Sequence, residues 1–338
     1  MFISEIQNSF EQSLPAHARV SDWIHPERGP DGRELRTYAV RFDGDPKRVL
    51  ISISGTHGAE AFIGSLIQQR LLERLSKRQG ARLPTVILIH NLNCFGSAWI
   101  RRGNHQNIDL NRNSWSGPVP EHPAFERYVS LLGSKGALEF GARLALQLPD
   151  IPRFGLGPVL EAVARGQSAH PESPFYCGRE RSFEIRSLQN YLKSEINPDH
   201  LQVLDIHTGL GSYMQESLIA EPDLTLEQAQ EFESLFATKL IDTRSPGYYP
   251  TTGTLGQIFP ETFPQTKIGY LTQEFGTRNF LTVLKALVLE NSSWQKQKSM
   301  DSQRIDPMLH AFFPAEKDWR DQITQVGVQR FFALHDSI

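Results

Sequence analysis

Cysteine is nearly absent from this chain: Cys94 and Cys177 are the only two among 338 residues. So small a number excludes a disulfide framework and a metal cluster held by thiolates. Long hydrophobic runs are lacking too, since no apolar stretch approaches the 18 residues of a membrane-spanning helix. The chain starts with acids and glutamine where a signal peptide would place positive charge and an apolar run. We therefore expect a cytoplasmic protein with no part in the membrane.

An excess of charge of one sign is also missing. The 35 Lys and Arg residues nearly balance 38 Asp and Glu residues, for a net charge of −3. This balance offers no electrostatic case for binding nucleic acid or an anionic membrane. Hydrophobic residues make up 39% and charged residues 22%, which is ordinary for a globular enzyme. The length suffices for one large α/β domain or two smaller ones.

Apolar segments typical of strands alternate along the chain with segments of helical period. Strands are predicted at residues 36–42 and 48–54, with a turn at 43–46 between them, and a buried central strand at 85–89. Helices are predicted at residues 1–13, 59–78, 121–132, 136–147, 182–194 and 226–239. A capping box of Thr225 and Gln228 begins the last of these helices. The alternation predicts a three-layer α/β/α fold with a mixed central sheet.

Two segments depart from this pattern, residues 149–181 and residues 243–265. Residues 149–181 are rich in proline, glycine and serine, which predicts an insertion. This insertion is either a cover over a pocket or a mere surface loop. Towards the other end, we expect residues 1–300 to form one domain and residues 301–338 to form a helical C-terminal extension packed on it.

Polar side chains follow the ends of three predicted strands. His57 and Glu60, three positions apart, follow the strand at 48–54, while His207 ends a second apolar run and Glu274 a third. Because ligand sites of open α/β sheets lie beyond the carboxyl ends of strands, we expect these side chains to converge. Imidazole nitrogen and carboxylate oxygen together suit Zn²⁺. The competing interpretation is that His57 belongs to a loop and Glu60 only complements the dipole of a following helix.

These motifs, in this order, resemble the zinc carboxypeptidase (M14) superfamily. The resemblance spans roughly residues 45–290 and rests on four motifs: His57-Gly-Ala-Glu60, Asp109-Leu-Asn-Arg-Asn113, Asp205-Ile-His-Thr-Gly209 and Glu274-Phe-Gly-Thr277. Within the superfamily the chain looks most like the bacterial DUF2817 branch, and aspartoacylase and succinylglutamate desuccinylase share the same framework. The resemblance implies one Zn²⁺ per chain, held by His57, Glu60 and His207, with Glu274 as the general base.

The resemblance also implies how a substrate is held. Asn111 and Arg112 match the pair that grips a carboxylate of the substrate, and Arg102 matches an arginine that polarises the carbonyl of the bond to be cleaved. A guanidinium group is a planar fork that fits a carboxylate, so Arg112 points to a substrate with a free carboxyl group. The competing interpretation of Arg112 is a structural salt bridge.

Four further residues surround this predicted centre. Asp109 matches the acid that orients the first zinc histidine of the family. Asp205 alternates onto the same strand face as the histidine two positions later, so it is either a partner of that histidine or a site residue, and the sequence leaves both open. Tyr248 or Tyr249 would contact the substrate, unless both belong to a packed aromatic loop.

The expected activity is zinc-dependent hydrolysis of an amide or peptide bond next to a carboxylate-bearing group, as in a metallocarboxypeptidase. The substrate would be a small peptide or an acylated amino acid with a free carboxylate. An aspartoacylase-like N-acyl amino acid amidohydrolase would use the same metal and the same Arg112, so pocket depth distinguishes the two. A non-catalytic zinc-binding module is opposed by Glu274, because a degenerate site usually loses such a group. No G-x-S-x-G elbow surrounds Ser52 or Ser54, which disfavours a serine hydrolase.

Overall fold

The central sheet has eight strands. The computed structural model describes residues 2–78, 80, 82–115, 122–220, 224–242 and 251–338. The strands are β1 (Arg19–Arg28), β2 (Glu34–Phe42), β3 (Asp45–Ser54), β4 (Pro84–His90), β5 (His200–Thr208), β6 (Glu216–Ala220), β7 (Ile241–Asp242) and β8 (Lys267–Phe275). They lie in the order β1-β2-β4-β3-β5-β8-β6-β7.

Parallel strands form the middle of this sheet and antiparallel strands join it on both sides. β4, β3, β5 and β8 are parallel neighbours. β2 pairs antiparallel with β4 on one side, and β6 pairs antiparallel with β8 on the other. The predicted mixed sheet is therefore confirmed. The predicted buried strand at 85–89 is β4, all seven residues of which are buried.

The turn predicted at residues 43–46 does not join a hairpin, because β4 lies between β2 and β3. Gly44 packs tightly on the backbone at this crossing, where a β-carbon would lie 2.4 Å from the carbonyl oxygen of Leu83. Asp45 then pairs with Pro84 at the start of β4. The absence of a side chain at Gly44 thus lets the chain cross to β4 instead of folding back on β2.

Helices cover both faces of the sheet. They are α1 (Phe2–Gln12), α2 (Ala61–Leu75), α3 (Cys94–Ala98), α4 (Phe125–Leu132), α5 (Ala137–Gln147), α6 (Asp150–Phe154), α7 (Leu156–Ala164), α8 (Phe183–Glu195), α9 (Leu226–Phe236), α10 (Ile258–Thr262), α11 (Phe280–Lys296), α12 (Ser302–Phe312) and α13 (Lys317–Ser337). Among the described residues, none of these helices has the length and apolar character needed to cross a bilayer.

Alternation along the strands separates two apolar layers. Leu50 packs in a core with α1, α2, α9 and α13, whereas its neighbour Ile51 packs in another core with α8 and α10. Successive side chains of a strand point to opposite faces, so one apolar run supplies both cores. The predicted three-layer α/β/α arrangement is therefore confirmed.

Most predicted helices are present, with shifts at their ends. The capping box of α9 is confirmed, since the Thr225 hydroxyl accepts the Gln228 N–H at 3.2 Å and the Gln228 side chain accepts the Thr225 N–H at 3.0 Å. This helix ends at Phe236, three residues early, because Ala237 has φ of 49°, a left-handed conformation that stops the helix. Part of the helix predicted at 121–132 lies outside the described residues, and α4 begins at Phe125.

The segment 149–181 has an exposed first part, residues 151–155, and a second part that packs into the protein. Its first half forms α6 and α7. Phe175, Tyr176 and Cys177 in its second half are buried. The carbonyl group of Tyr176 accepts the Asp109 N–H at 2.9 Å, so this segment supports the loop that carries Asp109.

The last two helices are tied to the ends of the central strands. The Thr208 hydroxyl donates to the carbonyl group of Phe312 at 2.8 Å, which links α12 to the end of β5. The fully buried Trp319 of α13 donates from its indole nitrogen to the carbonyl group of Gly276 at 2.9 Å. Residues 302–337 thus pack directly against the strand ends that carry His207 and Glu274.

Candidate metal centre

The carboxyl ends of three parallel strands place the predicted polar residues together. His57 follows β3, and Glu60 lies in a short 3-10 turn, Gly58–Glu60, before α2. His207 and Glu274 are paired neighbours in the register of β5 and β8. Gly58 permits the turn, because a β-carbon there would lie 1.9 Å from the backbone of Gly96 in α3.

The carboxylate of Glu60 lies at the middle of the group. His57 Nδ1 lies 2.8 Å from Glu60 Oε1, and His207 Nδ1 lies 3.1 Å from Glu60 Oε2. The three ligand atoms are all within 4.8 Å of one another. Each of the three residues is at most 3% exposed. The structure thus brings together all three residues that the sequence suggested as zinc ligands.

The other nitrogen of each imidazole faces a second carboxylate. His57 Nε2 lies 3.0 Å from Asp109, and His207 Nε2 lies 2.7 Å from Asp205. Asp109 therefore contacts His57, the histidine that it is predicted to orient. Of the two possibilities left open for Asp205, the structure shows a partner of the histidine.

Two residues that the sequence did not single out hold Asp205 in place. The hydroxyl groups of Tyr270 and Thr56 donate to the carboxylate of Asp205 at 2.7 and 2.9 Å. Tyr270 lies four positions before Glu274, on the same face of β8. This alternation was the only local signal for it, and the hydrogen bond crosses to a different strand.

The donor set fits a cation such as Zn²⁺. An imidazole that donates from Nε2 to a carboxylate carries a lone pair on Nδ1 when the ring is neutral. Both lone pairs then face the oxygens of Glu60, which are acceptors too. A metal ion held among two nitrogens and a carboxylate satisfies all of these acceptors, and carboxylate–histidine pairs are the usual outer partners of zinc ligands.

Neighbouring charges lower the pKa values of Glu60 and Asp109 and raise the pKa of His207. Burial opposes ionisation of Glu60, but the neighbouring His57 and His207 outweigh it and hold its pKa far below the ordinary value. Burial likewise disfavours a charged His207, but Asp205 and Glu60 hold its pKa well above the ordinary value. For Asp109, Arg102 and His57 overcome burial and lower the pKa. Glu60 and Asp109 are therefore ionised, and a metal ion bound there would displace the proton that the raised pKa of His207 favours.

Glu274 differs from these carboxylates. Burial, followed by repulsion from Glu60, raises the pKa of Glu274 to about 8. One of its oxygens accepts the Leu210 N–H at 2.8 Å. A carboxyl group with a pKa near neutrality can both accept and return a proton at physiological pH.

Arg102 lies beside the metal ligands. Its Nε donates to Asp109 at 2.8 Å, and a terminal nitrogen lies 3.9 Å from Glu60 Oε1. The guanidinium also lies over the ring of Phe175, 5.2 Å from its centroid. Asp109 thus contacts both His57 and Arg102 and couples their positions.

Arg112 is anchored by backbone carbonyl groups. Its Nε and one terminal nitrogen donate to Ala164 at 3.0 and 2.8 Å, and the other terminal nitrogen donates to Asn111 at 2.7 Å. Within the described residues, no carboxylate oxygen lies within 4.0 Å of its guanidinium, so a structural salt bridge is not observed. Three of five N–H groups are used. One remains on each terminal nitrogen, the pair that can hold both oxygens of a carboxylate.

Of the other residues predicted to contact the substrate, the structure describes only Asn111. Asn111 is near Arg112, and its side-chain oxygen accepts the Leu255 N–H at 2.8 Å. Tyr248 and Tyr249 lie outside the described residues, so their predicted role stays a prediction.

A single cavity of about 120 Å³ joins these groups. Its polar lining includes His57, Glu60, Arg102, Asn111, Arg112, His207 and Glu274. Phe175 and Ala164 of the predicted insertion also line it, as expected for a cover over a pocket. The possible metal ligands, the possible base and the two arginines therefore all face the same small cavity.

A second group of possible ligands, His25, His105 and Glu184, was not predicted from the sequence. The backbone N–H of Glu27 donates to His25 Nδ1 at 3.0 Å, so a neutral ring carries its proton on Nε2, which lies 3.1 Å from Glu184. A ring that accepts at one nitrogen and donates from the other has no lone pair left for a metal. This group is therefore a buried polar cluster rather than a second metal centre.

A family model described as "Protein of unknown function (DUF2817)" matches residues 7–326. No curated protein sequence matches the chain. The murein-tripeptide amidase of Escherichia coli O157 is similar at 16% identity, over 85% of this chain and 95% of that one, with a TM-score of 0.41. Carboxypeptidase A from Helicoverpa armigera is similar at 13% identity, over 98% and 71%, with a TM-score of 0.46.

A putative succinylglutamate desuccinylase/aspartoacylase family protein from Shewanella amazonensis SB2B is similar at 16% identity. The similarity covers 87% of this chain and 70% of that one, with a TM-score of 0.39. Likeness at this level does not assign an activity to the chain. The function therefore has to follow from the geometry of the site.

Proposed function

Because this chain belongs to the DUF2817 family, whose description names no activity, we propose a function from the site itself: zinc-dependent hydrolysis of an amide bond next to a carboxylate-bearing group. One observation carries the proposal. His57, Glu60 and His207 converge in the same cavity as Glu274, a carboxylic acid with a raised pKa. Three ligands and a separate base are the parts that metal-assisted hydrolysis requires.

His57, Glu60 and His207 would hold one zinc ion per chain. When bound, Zn²⁺ would supply a Lewis acid that polarises the carbonyl group and makes water more acidic. Asp109 and Asp205 keep the two imidazoles turned so that Nδ1 faces the ion site. The protein thereby contributes ligands already fixed in position.

Glu274 would move the proton. In the ionised form it takes a proton from the attacking water, and it then gives the proton to the nitrogen of the leaving amine. The Leu210 N–H holds one oxygen of Glu274, which leaves the other for this exchange. Arg102, fixed by Asp109, would donate a hydrogen bond to the carbonyl oxygen as negative charge develops there. A non-catalytic zinc-binding module would need neither residue in the cavity.

Arg112 would bind the carboxylate of the substrate with the N–H groups that its backbone partners leave over. Its anchorage to Ala164 and Asn111 holds the fork in one orientation. A substrate carboxylate would then fix which amide bond lies next to Glu274.

Arg112 supplies the test of substrate class. We expect amidation or esterification of the substrate carboxylate to reduce kcat/KM by the equivalent of about 2–5 kcal/mol in the wild type, because a buried charge loses its partner. Arg112→Ala should turn over the free and blocked substrates at similarly low rates. Arg112→Lys should recover little, since an ammonium group cannot form two parallel bonds. Steady-state kinetics with free and blocked peptides and N-acyl amino acids, alongside zinc analysis, measures this.

Zinc content should be unchanged in both variants. If the wild type and Arg112→Ala discriminate equally between free and blocked substrates, Arg112 does not bind the carboxylate.

Tyr270 gives a second test, of the metal site. Tyr270→Phe removes one of the hydroxyl groups that orient Asp205 and through it His207. We expect about tenfold weaker zinc binding, measured by competition with a chelator. The matched control is Tyr128→Phe in α4, which removes a similarly buried hydroxyl group that donates to Asp150. Equal zinc affinity of the two variants would remove Tyr270 from the metal site.

The cavity volume favours a small substrate. At about 120 Å³ the described cavity is below the range of about 300–1,000 Å³ that is usual for ligand pockets. An N-acyl amino acid fits such a volume better than the end of a long peptide does. We therefore give the N-acyl amino acid amidohydrolase equal standing with the carboxypeptidase.

Both cysteines are free and buried, which agrees with a cytoplasmic location.

A further inference from the structure

One side of the cavity is formed by apolar residues of α11 and α12. Four of them recur at positions i, i+3, i+4 and i+7 of α11 and therefore lie on one helix face. These are Phe280, Val283, Leu284 and Leu287, and Phe312 at the end of α12 joins them. We call these five residues the apolar wall.

Most of the apolar wall is held in the protein core. Val283, Leu284, Leu287 and Phe312 are at most 5% exposed and belong to one core cluster. The bond between the Thr208 hydroxyl and the Phe312 carbonyl group fixes the wall to the strand that carries His207. A group bound there would therefore lie at a defined position relative to the metal ligands.

The wall lies beside Glu274. Its elements, α11 and α12, differ from those that hold Arg112. Gly209, just after β5, links the wall to Glu274. A β-carbon at Gly209 would lie 3.0 Å from the ring of Phe312, and the next residue, Leu210, donates its N–H to Glu274. Arg112, in contrast, is held by Ala164 and Asn111. With the carboxylate of a substrate at Arg112 and its amide bond beside Glu274, the acyl group on the other side of that bond would meet the wall.

No charged residue of α11 or α12 is part of the described lining. The charged groups that do line the cavity are the metal ligands Glu60, His57 and His207, the base Glu274, and the two arginines. A charged acyl group on the wall would therefore lose its hydration without gaining a partner. An apolar group would lose nothing of this kind.

Size sets a further limit. A cavity of about 150 Å³ lined by Leu, Ile and Phe is known to bind benzene. The cavity here is smaller, at about 120 Å³, and the same space has to take the metal ion and the carboxylate of the substrate, so only a small acyl group can reach the wall.

We propose that the acyl group released by this hydrolase is a single small apolar group, a short aliphatic chain or one aromatic ring, which packs on the apolar wall. This inference rests on the proposed function and names the substrate class of the same site. Acyl groups that end in a carboxylate, such as succinyl, are poor substrates.

The experiment uses the full chain loaded with zinc and N-acyl derivatives of one amino acid. N-butyryl and N-succinyl compounds form the matched pair, since a methyl group in one replaces a carboxylate in the other. N-benzoyl and N-naphthoyl compounds test size. We expect kcat/KM to be at least about 10²-fold higher for the butyryl and benzoyl compounds than for the succinyl compound. The naphthoyl compound should be turned over poorly.

A charge placed on the wall should change this preference. Phe280 is half-buried at the start of α11, so Phe280→Arg adds a cation that can meet a succinyl carboxylate. We expect the succinyl-to-butyryl ratio of kcat/KM to rise at least about tenfold. The matched control is Leu281→Arg, which adds the same charge one residue later, at a position 48% exposed and outside the cavity lining. Its ratio should equal that of the wild type.

Two results would overturn the inference while leaving the proposed function intact. One is a wild type that hydrolyses the succinyl compound as well as the butyryl compound. The other is the same ratio in Phe280→Arg and Leu281→Arg. If none of the compounds is hydrolysed, the proposed function fails. Calorimetric affinities of the same compounds then decide the inference, and equal binding of the butyryl and succinyl compounds rejects it.

Discussion

Removing the metal should abolish hydrolysis. The purified protein should hold about one zinc ion per chain, because two imidazoles and one carboxylate converge on a single point. Dialysis against a chelator should reduce turnover to background, and addition of zinc should restore it, because no other group described in the cavity can polarise the carbonyl as strongly. Metal analysis by mass spectrometry and kinetics on the same samples measure both quantities.

The two histidine groups provide an internal control for this result. His57→Ala should lose zinc and activity together. His25→Ala removes an equally buried imidazole from the other group and should keep its zinc, since that ring has no lone pair to offer. Full activity of the rigorously metal-free protein would refute the proposed function. Loss of zinc from His25→Ala but not from His57→Ala would place the metal among His25, His105 and Glu184 and contradict the proposed site.

Replacing the base should stop catalysis but leave the metal bound. Glu274→Gln keeps the shape and the bond from the Leu210 N–H, yet a carboxamide cannot take a proton from water. We expect kcat to fall by a factor of about 10² or more while zinc content stays the same. Pre-steady-state and steady-state kinetics with zinc analysis separate the two effects.

Glu216→Gln is the matched control for this variant. Glu216 is on β6, the strand next to Glu274, but its carboxylate contacts Arg330 at 2.7 Å and it is not part of the cavity lining. Its turnover should match that of the wild type. If Glu274→Gln loses zinc, Glu274 is a ligand, and the assignment of Glu60 has to be revised.

The sequence could predict that four residues of the site converge because each of them carries a local signal, whereas their division into ligands and base came from the resemblance to the zinc carboxypeptidase superfamily. His57, His207 and Glu274 end apolar strands, and the carboxyl ends of parallel strands meet at one edge of the sheet. Glu60 is one helical turn from His57. Alternation and strand ends are properties of a few neighbouring residues, so no knowledge of the sheet order was needed.

Contacts between distant elements could not be predicted in the same way. Tyr270 and Thr56 bond to Asp205 across 65 and 149 positions of sequence, and a hydroxyl group has many possible partners. The helical spacing of the apolar wall is visible in the sequence. Whether this face of α11 points to the cavity depends on how α11 packs in the protein. The pairing of β2 with β4 instead of β3 is also set by long-range register.

The link between Thr208 and Phe312 has a consequence for the order in which the protein is made. A ribosome synthesises His57, Glu60, His207 and Glu274 well before Phe312 and Trp319, and folding begins at the N-terminal part of a nascent chain. Until α12 and α13 emerge, one wall of the cavity is missing and the strand ends are open to water. The cavity is therefore expected to be complete only after α12 and α13 have left the ribosome and packed against the strand ends.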